Sequence, residues 1–169
     1  MPTNYRGISL LPIAAKIYHK LLLNRIHSEV EPILRKNQNG FRPGRSTLGQ
    51  ILTLRRIIEE ITFCNKTAAL IFVDFNKAFD SVNRDTMFEI LELYGIPGEI
   101  VYAIKVLYTN TQATVLTPDG ETNPFDILAG ILQGDTLGPF LFIIVVDYIM
   151  RVSVYSINEK GLNYQPRKS

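Results

Sequence analysis

The chain has 169 residues, 46% of them hydrophobic and 20% charged, which is enough apolar material for one domain with a sizeable core and excludes a disordered chain. Its single cysteine, Cys64, excludes an internal disulfide framework and favours a reducing compartment. The longest apolar run, residues 140–146, is far below the ~18 residues of a membrane span, and the N-terminus has no signal-peptide pattern. We therefore expect an intracellular protein, in the nucleus or the cytoplasm.

The net charge of +2 is unevenly distributed along the chain. Residues 1–62 hold ten Lys and Arg against four Asp and Glu, a net +6, whereas residues 63–169 hold eight against twelve, a net −4. A basic half attracts phosphates and an acidic half can hold divalent cations. This polarity favours a polyanion partner and a metal, with ordinary solvated surface charge as the alternative.

The first third of the sequence predicts two helices joined by a basic loop. Apolar residues recur at helical spacing over residues 10–30, and Pro32 lies where that helix should end. Residues 37–47 are rich in Gly, Pro and Asn, which is typical of a loop. Ser46 or Thr47 can cap the second helix.

The middle of the sequence predicts a buried strand followed by two helices. The continuous apolar run from Ala68 to Val73 is typical of a strand that helices cover on both faces. Asp85 can open a third helix, with Gly95 as its end, and Pro97 can start a fourth.

The last third predicts a hairpin and a final helix. Residues 112–128 alternate between apolar and polar types and turn at residues 118–120, which indicates a β-hairpin. A glycine-punctuated loop follows, and the spacing then predicts a helix over about residues 136–152. The remaining tail has no periodicity.

Asp74, which ends the apolar run, is the first candidate for chemistry. An unpaired carboxylate is costly to bury, but a cation can stabilise it, and sheets of this type place ligand-binding groups at the carboxyl ends of their strands. Capping the following turn is the alternative. Two other families also place an aspartate after a buried strand. Haloacid-dehalogenase-type phosphatases carry a second aspartate two positions on, where this chain has Asn76. Receiver domains need an earlier acidic pair near the N-terminus, which this sequence lacks.

The loop "GFRPGRS" is the second candidate. It is one residue shorter than a P-loop, has Arg45 in place of the lysine and follows no strand, so we reject nucleotide hydrolysis. Phosphate binding is still possible here, because Arg42 and Arg45 precede a helix N-terminus and offer forked guanidinium donors beside free backbone N–H groups. Two solvated loop arginines are the alternative.

Four stretches carry a resemblance to a known family. They are "NYRGISLLP" (4–12), "NGFRPGRST" (39–47), "FVDFNKAFDSVN" (72–83) and "GILQGDTLGPFLFIIVVDYIM" (130–150). In this order they resemble successive blocks of the reverse transcriptases of non-LTR (LINE-type) retrotransposons.

The resemblance implies an α+β fold, namely part of the fingers and palm of a right-hand polymerase with helices packed on a small sheet. Residues 1–62 match the basic fingers, residues 63–153 match the first part of the palm, and residues 154–169 form a frayed tail. The implied activity is that of an RNA-directed DNA polymerase, which adds deoxynucleotides to a DNA primer on an RNA template.

The resemblance also implies a metal site. Asp74 matches the first catalytic aspartate of the palm, which bridges two Mg²⁺ ions, and Mn²⁺ can substitute for them. Phe75 would offer its backbone carbonyl to one ion. In a two-metal phosphoryl transfer these ions activate the primer hydroxyl and neutralise charge on the transferring group.

Five further residues match nucleotide-binding positions of the family. Arg42 and Arg45 match fingers residues that hold the incoming triphosphate. Phe79 matches the steric gate, an aromatic ring that fills the space a ribose 2′-OH would need and so selects dNTPs. Gln133 and Gly134 match the pair that borders the nucleotide and the template, where glycine permits close backbone approach.

One departure from the family pattern is large. The second metal-binding block, an aromatic residue, a variable one and two adjacent aspartates, has no match, because the chain contains no adjacent aspartate pair. Asp135 lies in the glycine-rich loop and Asp147 lies deep in a helix, so both are poor substitutes. We therefore expect an incomplete site that is inactive alone. The alternative is a non-catalytic RNA-binding remnant of an inactivated element.

Overall fold

The structure is a computed structural model that describes residues 10–132, 134 and 136–155, with side chains to residue 153. Its described elements are, in chain order, α1 (Ile13–Val30), α2 (Thr47–Phe63), α3 (Arg84–Leu93), α4 (Gly98–Tyr108), β1 (Gln112–Ala113), β2 (Leu116–Thr117), β3 (Gly120–Glu121), β4 (Phe125–Asp126) and α5 (Gly138–Tyr155). This mixture of helices with small sheets is compatible with the predicted α+β class.

The core lies where the second half of α1 packs with α3, α4 and α5. Its fully buried side chains include Ile26 of α1, Met87 and Leu91 of α3, Ile104 of α4, and Leu141 and Ile144 of α5. Helix α5 is apolar around most of its circumference, as expected of a helix at the centre of a core.

Local sequence signals set the helix ends. The Ser46 side chain accepts a hydrogen bond from the backbone N–H three residues on, at 3.3 Å, and caps α2 as predicted. Asn83 caps α3 in the same way at 3.0 Å, so that Asp85 lies within the first turn. Gly95, at φ +79°, ends α3, and Pro97 precedes α4, which confirms both predictions.

The predicted hairpin is confirmed. Strands β2 and β3 pair antiparallel around the turn at residues 118–119, with Thr117 opposite Gly120. Strands β1 and β4 continue the ribbon, with Ala113 opposite Phe125. The ribbon lies between the core helices α4 and α5 in sequence and leads into the loop before α5.

The predicted buried strand from Ala68 to Val73 is wrong. Residues 66–75 take part in no strand pairing in the described structure, and Ile71, Phe72 and Val73 are 87%, 78% and 73% exposed. A strand needs neighbours that accept and donate its backbone hydrogen bonds, and no described strand lies beside this run. The apolar composition of the run does not supply such neighbours.

Some of the predictions concern residues that the structure does not describe. The predicted tail lies outside the described residues from residue 156 onward, as do Gln133, Asp135 and residues 4–9 of the first family-like stretch. Over the residues that are described, no helix is long and apolar enough to cross a membrane.

Candidate active site

Asp74 lies at the end of the exposed run, and one residue separates it from a turn at residues 76–81. Its side chain and that of Phe75 are both exposed. Within the described ranges, no three or more His, Cys, Asp and Glu residues group together closely enough to hold a metal. Because Mg²⁺ takes about six oxygen ligands, one carboxylate and the Phe75 carbonyl do not fit a two-ion centre by themselves.

Phe79 lies between two other aromatic rings. Its ring stacks on that of Phe142 in α5, with centroids 4.5 Å apart and planes 23° apart. The ring of Phe41, in the basic loop, meets it edge-on at 6.0 Å and 89°. These contacts bring together the basic loop, the turn after Asp74 and α5, which are far apart in sequence.

Gly130 is a site residue that the sequence analysis missed. It adopts φ +85°, its N–H donates to the Val82 carbonyl at 2.9 Å, and the next N–H, of Ile131, donates to the Phe79 carbonyl at 2.8 Å. A Cβ on Gly130 would lie 2.7 Å from the Cα of Asp80. The sequence signal that could have identified Gly130 is its position at the start of the fourth family-like stretch. Glycine is the residue that permits such a close approach of two backbone segments.

Arg84 holds the same segment from α3. Its Nε donates to the Gly130 carbonyl at 3.0 Å, while Nη1 donates to the Tyr108 carbonyl at 2.9 Å and to the Thr111 hydroxyl at 2.8 Å. Its guanidinium also lies over the Tyr108 ring, 5.1 Å from the centroid. Burial lowers the pKa of Arg84 from its ordinary value.

Arg42 is buried and bonded within the chain. Its Nε and Nη2 donate to the Glu31 carboxylate at 2.9 and 2.6 Å, and Nη2 also reaches the Glu31 carbonyl at 3.3 Å. Its Nη1 donates to the carbonyls of Arg35 and Gln38 at 2.8 and 2.9 Å. All five guanidinium N–H groups thus have acceptors in the chain, and the side chain fixes the basic loop against the end of α1.

Arg45 is exposed on the same loop. In the described part of the chain its side chain bonds only through Nη1, to the Lys36 carbonyl at 2.5 Å and the Asn39 side chain at 3.3 Å. The remaining guanidinium donors therefore face solvent beside the start of α2. Of the two predicted phosphate-binding arginines, Arg45 is the one whose donors are free to meet a ligand.

Gly134 lies in the loop before α5 and is exposed, with φ +102°. This left-handed backbone conformation favours glycine. The predicted partner of Gly134, Gln133, lies outside the described residues.

The Asp147 carboxylate forms a buried network of hydrogen bonds within the protein. Its fully buried carboxylate accepts hydrogen bonds from the Arg35 backbone N–H and Nε at 3.1 and 2.9 Å, from the Tyr94 hydroxyl at 2.7 Å and from Arg151 Nε at 2.7 Å. Burial alone would raise the pKa of Asp147, but the hydrogen bonds from Arg151, Tyr94 and Arg35 outweigh it and lower that pKa. Its oxygens already have protein partners, in agreement with the expectation that Asp147 is a poor metal ligand.

Comparison with known proteins identifies the family. The model of the family described as reverse transcriptase (RNA-dependent DNA polymerase) matches residues 2–157. The chain belongs to the reverse transcriptase family. The match spans the basic loop, the turn after Asp74 and α5, which are the parts that the aromatic contacts bring together.

Relatives of this reverse transcriptase chain come from retrotransposons. It is 31% identical over 150 residues to a retrovirus-related Pol polyprotein from a type-1 retrotransposable element R2 of Popillia japonica. It is 30% identical over 148 residues to a probable RNA-directed DNA polymerase from transposon BS of Drosophila melanogaster. These matches cover 88% and 83% of the chain but only 21% and 16% of the relatives.

Proposed function

We propose that this chain is the nucleotide-binding part of an RNA-directed DNA polymerase of a non-LTR retrotransposon. In this proposal residues 1–62 act as fingers and residues 63–153 as the first part of the palm. The observation that carries the proposal is the meeting of the basic loop, the turn after Asp74 and α5 around the Phe79 ring. The family match and the retrotransposon relatives support it.

The phosphates of the incoming dNTP would bind Arg45. Its free guanidinium donors lie beside the N-terminus of α2, where the helix dipole also favours an anion. Arg42, with its donors occupied, would hold this loop in position for Arg45. Gln133 and Gly134 would border the nucleotide and the RNA template.

The sugar of the dNTP would be selected by Phe79. Its ring is half-buried and held on two sides, so it can act as a fixed wall that excludes a ribose 2′-OH. Asp74, with the carbonyl of Phe75, would be one part of the Mg²⁺ site. Further ligands would be needed to complete that site, because Mg²⁺ takes about six oxygen ligands.

Primer extension on an RNA template, with Mg²⁺ or Mn²⁺, tests the incomplete metal site. We expect the 169 residues alone to give little or no product, because no three or more His, Cys, Asp and Glu residues of the described ranges group together to hold a metal. Extension that Asp74→Asn abolishes, and that Asp119→Asn in the hairpin turn leaves intact, would contradict this expectation.

Arg45→Ala tests the phosphate contact. In equilibrium titrations with dCTP and Mn²⁺, we expect it to weaken binding about tenfold or more, since it removes charge-assisted hydrogen bonds. Arg55→Ala is the matched control, because Arg55 is also exposed, lies on α2 and pairs with Glu59 at 3.2 Å. Equal dCTP affinities of wild type and Arg45→Ala would refute the contact.

A second candidate function, non-catalytic RNA binding, is favoured by a cleft beside the basic loop. The cleft has a volume of about 270 Å³, and its lining includes Lys20, Asn24, His27, Phe41 and Phe140. Aromatic rings with a cation and an amide suit an unpaired base and its phosphate. RNA affinity that falls steeply with salt and is unchanged by Asp74→Asn, in a chain that does not bind dCTP, would favour this function.

A further inference from the structure

The backbone of Phe79 is fixed from one side by the segment at Gly130. The Ile131 N–H donates to the Phe79 carbonyl at 2.8 Å, and Gly130 approaches so closely that a Cβ there would overlap the Asp80 backbone. With its backbone held, the Phe79 ring can move only by rotation about its side-chain torsions. The position of the ring is then decided by what its two faces and edges touch.

Two rings limit that rotation. Phe142 stacks on one face of Phe79 and, as part of α5, is anchored in the core. Phe41 approaches edge-on from the basic loop, and its contact is perpendicular, at 89°. Stacked and edge-on arrangements at these separations are both favourable ring contacts. Phe41 and Phe142 therefore contact the Phe79 ring from two sides.

The conformation of Phe41 is unusual for a surface phenylalanine. Its backbone adopts φ +55°, which is uncommon for a bulky residue, and the residue is 63% exposed. The neighbouring residue, Arg42, is fixed to the Glu31 carboxylate and to the carbonyls of Arg35 and Gln38 in the segment after α1. Strained backbone of this kind persists where the surroundings over-determine it, and it concentrates at functional sites.

We propose that Phe41 is a positioning residue for sugar selection, holding the Phe79 ring where it excludes a ribose 2′-OH. The basic loop would then contribute two residues to nucleotide binding. Arg45 would bind the phosphates, and Phe41 would contact the Phe79 ring that selects the sugar. This inference rests on the proposed function, because it takes Phe79 as the gate. Under this proposal Phe41 changes the ratio of deoxynucleotide to ribonucleotide affinity. It does not change the affinity for both kinds of nucleotide alike.

The test is equilibrium binding of dCTP and CTP, with Mn²⁺, to the 169-residue chain and four variants. Phe79→Ala tests the gate itself, Phe41→Ala removes the supporting ring, and Phe41→Tyr keeps it. Phe125→Ala is the matched control, an exposed phenylalanine in β4 at 49% exposure. Thermal unfolding of each variant checks that it folds.

We expect Phe41→Ala to lower the ratio of dCTP to CTP affinity about 2- to 10-fold, through tighter CTP binding, as expected for the loss of one aromatic contact. Phe41→Tyr and Phe125→Ala should keep the wild-type ratio. A merely structural role would weaken both nucleotides alike, and that result would overturn the inference.

The experiment distinguishes failure of Phe41 as a positioning residue from failure of Phe79 as the gate. Loss of sugar preference in Phe79→Ala with an unchanged ratio in Phe41→Ala overturns the role of Phe41 and leaves the gate intact. A wild-type chain without sugar preference, or one that Phe79→Ala does not change, overturns the gate and the role of Phe41 with it.

Discussion

Replacing Asp147 with alanine is expected to destabilise the chain by about 2–4 kcal/mol, because it removes several charge-assisted hydrogen bonds and leaves the buried Tyr94 hydroxyl without its acceptor. The substitution leaves Arg35, Arg151 and the Tyr94 hydroxyl without their shared acceptor. It also disconnects α5 from the segment after α1 and from the end of α3. Urea unfolding followed by circular dichroism measures the loss.

Asp126→Ala is the matched control for Asp147→Ala. Asp126 is exposed in β4 and accepts one hydrogen bond, from the Gln112 side chain at 2.9 Å, so its loss should change the free energy of unfolding by no more than about 0.5 kcal/mol. Similar losses in the two variants would contradict the role of Asp147 as the centre of the network.

The pH dependence of stability provides a further check on Asp147. Because its pKa is lowered in the folded chain, its ionised form contributes stability that is fully present above the unfolded-state pKa. That contribution is lost as the pH falls from about 4 through the folded-state pKa. The difference in unfolding free energy between wild type and Asp147→Asn should therefore shrink in acid, and a difference that stays constant would contradict the assignment.

Replacing Gly130 with alanine is expected to destabilise the chain by about 2–4 kcal/mol, from a backbone overlap added to a strained torsion. The new Cβ would lie 2.7 Å from the Asp80 Cα and 2.9 Å from the Phe79 carbonyl oxygen, and both atoms belong to backbone that side-chain rotation cannot move away. The overlap must push the Phe79 turn outward. We therefore also expect the sugar preference in nucleotide binding to fall.

Two glycine controls separate the causes. Gly95→Ala introduces a side chain at φ +79° with nothing within 4 Å, so it should show the torsional part alone, about 1–2 kcal/mol. Gly49→Ala, in α2 with nothing within 4 Å, should be neutral or stabilise by up to about 1 kcal/mol. A loss in Gly130→Ala no larger than that in Gly95→Ala would show that the close approach to Asp80 carries no penalty.

The candidate site was only partly predictable from sequence. Family-like stretches drew attention to Phe79 and Arg45, whose surroundings in the structure suit the proposed roles. They did not show that Arg42 is buried against Glu31, because a loop arginine with free donors and one with occupied donors have the same sequence pattern. Phe41 was likewise invisible as a partner of Phe79, since 38 positions separate them.

The sequence by itself determined those features that depend on residues close together along the chain. Helical periodicity, the caps at Ser46 and Gly95, Pro97 before α4 and the hairpin turn act within a few residues, and the structure confirms them. Only the tertiary structure decided that residues 68–73 have no strand partner among the described residues, that Asp147 joins three segments and that Gly130 lies against the turn after Asp74. Strand pairing, burial and ring contacts are made between distant positions, so their energies depend on which surfaces the fold brings together.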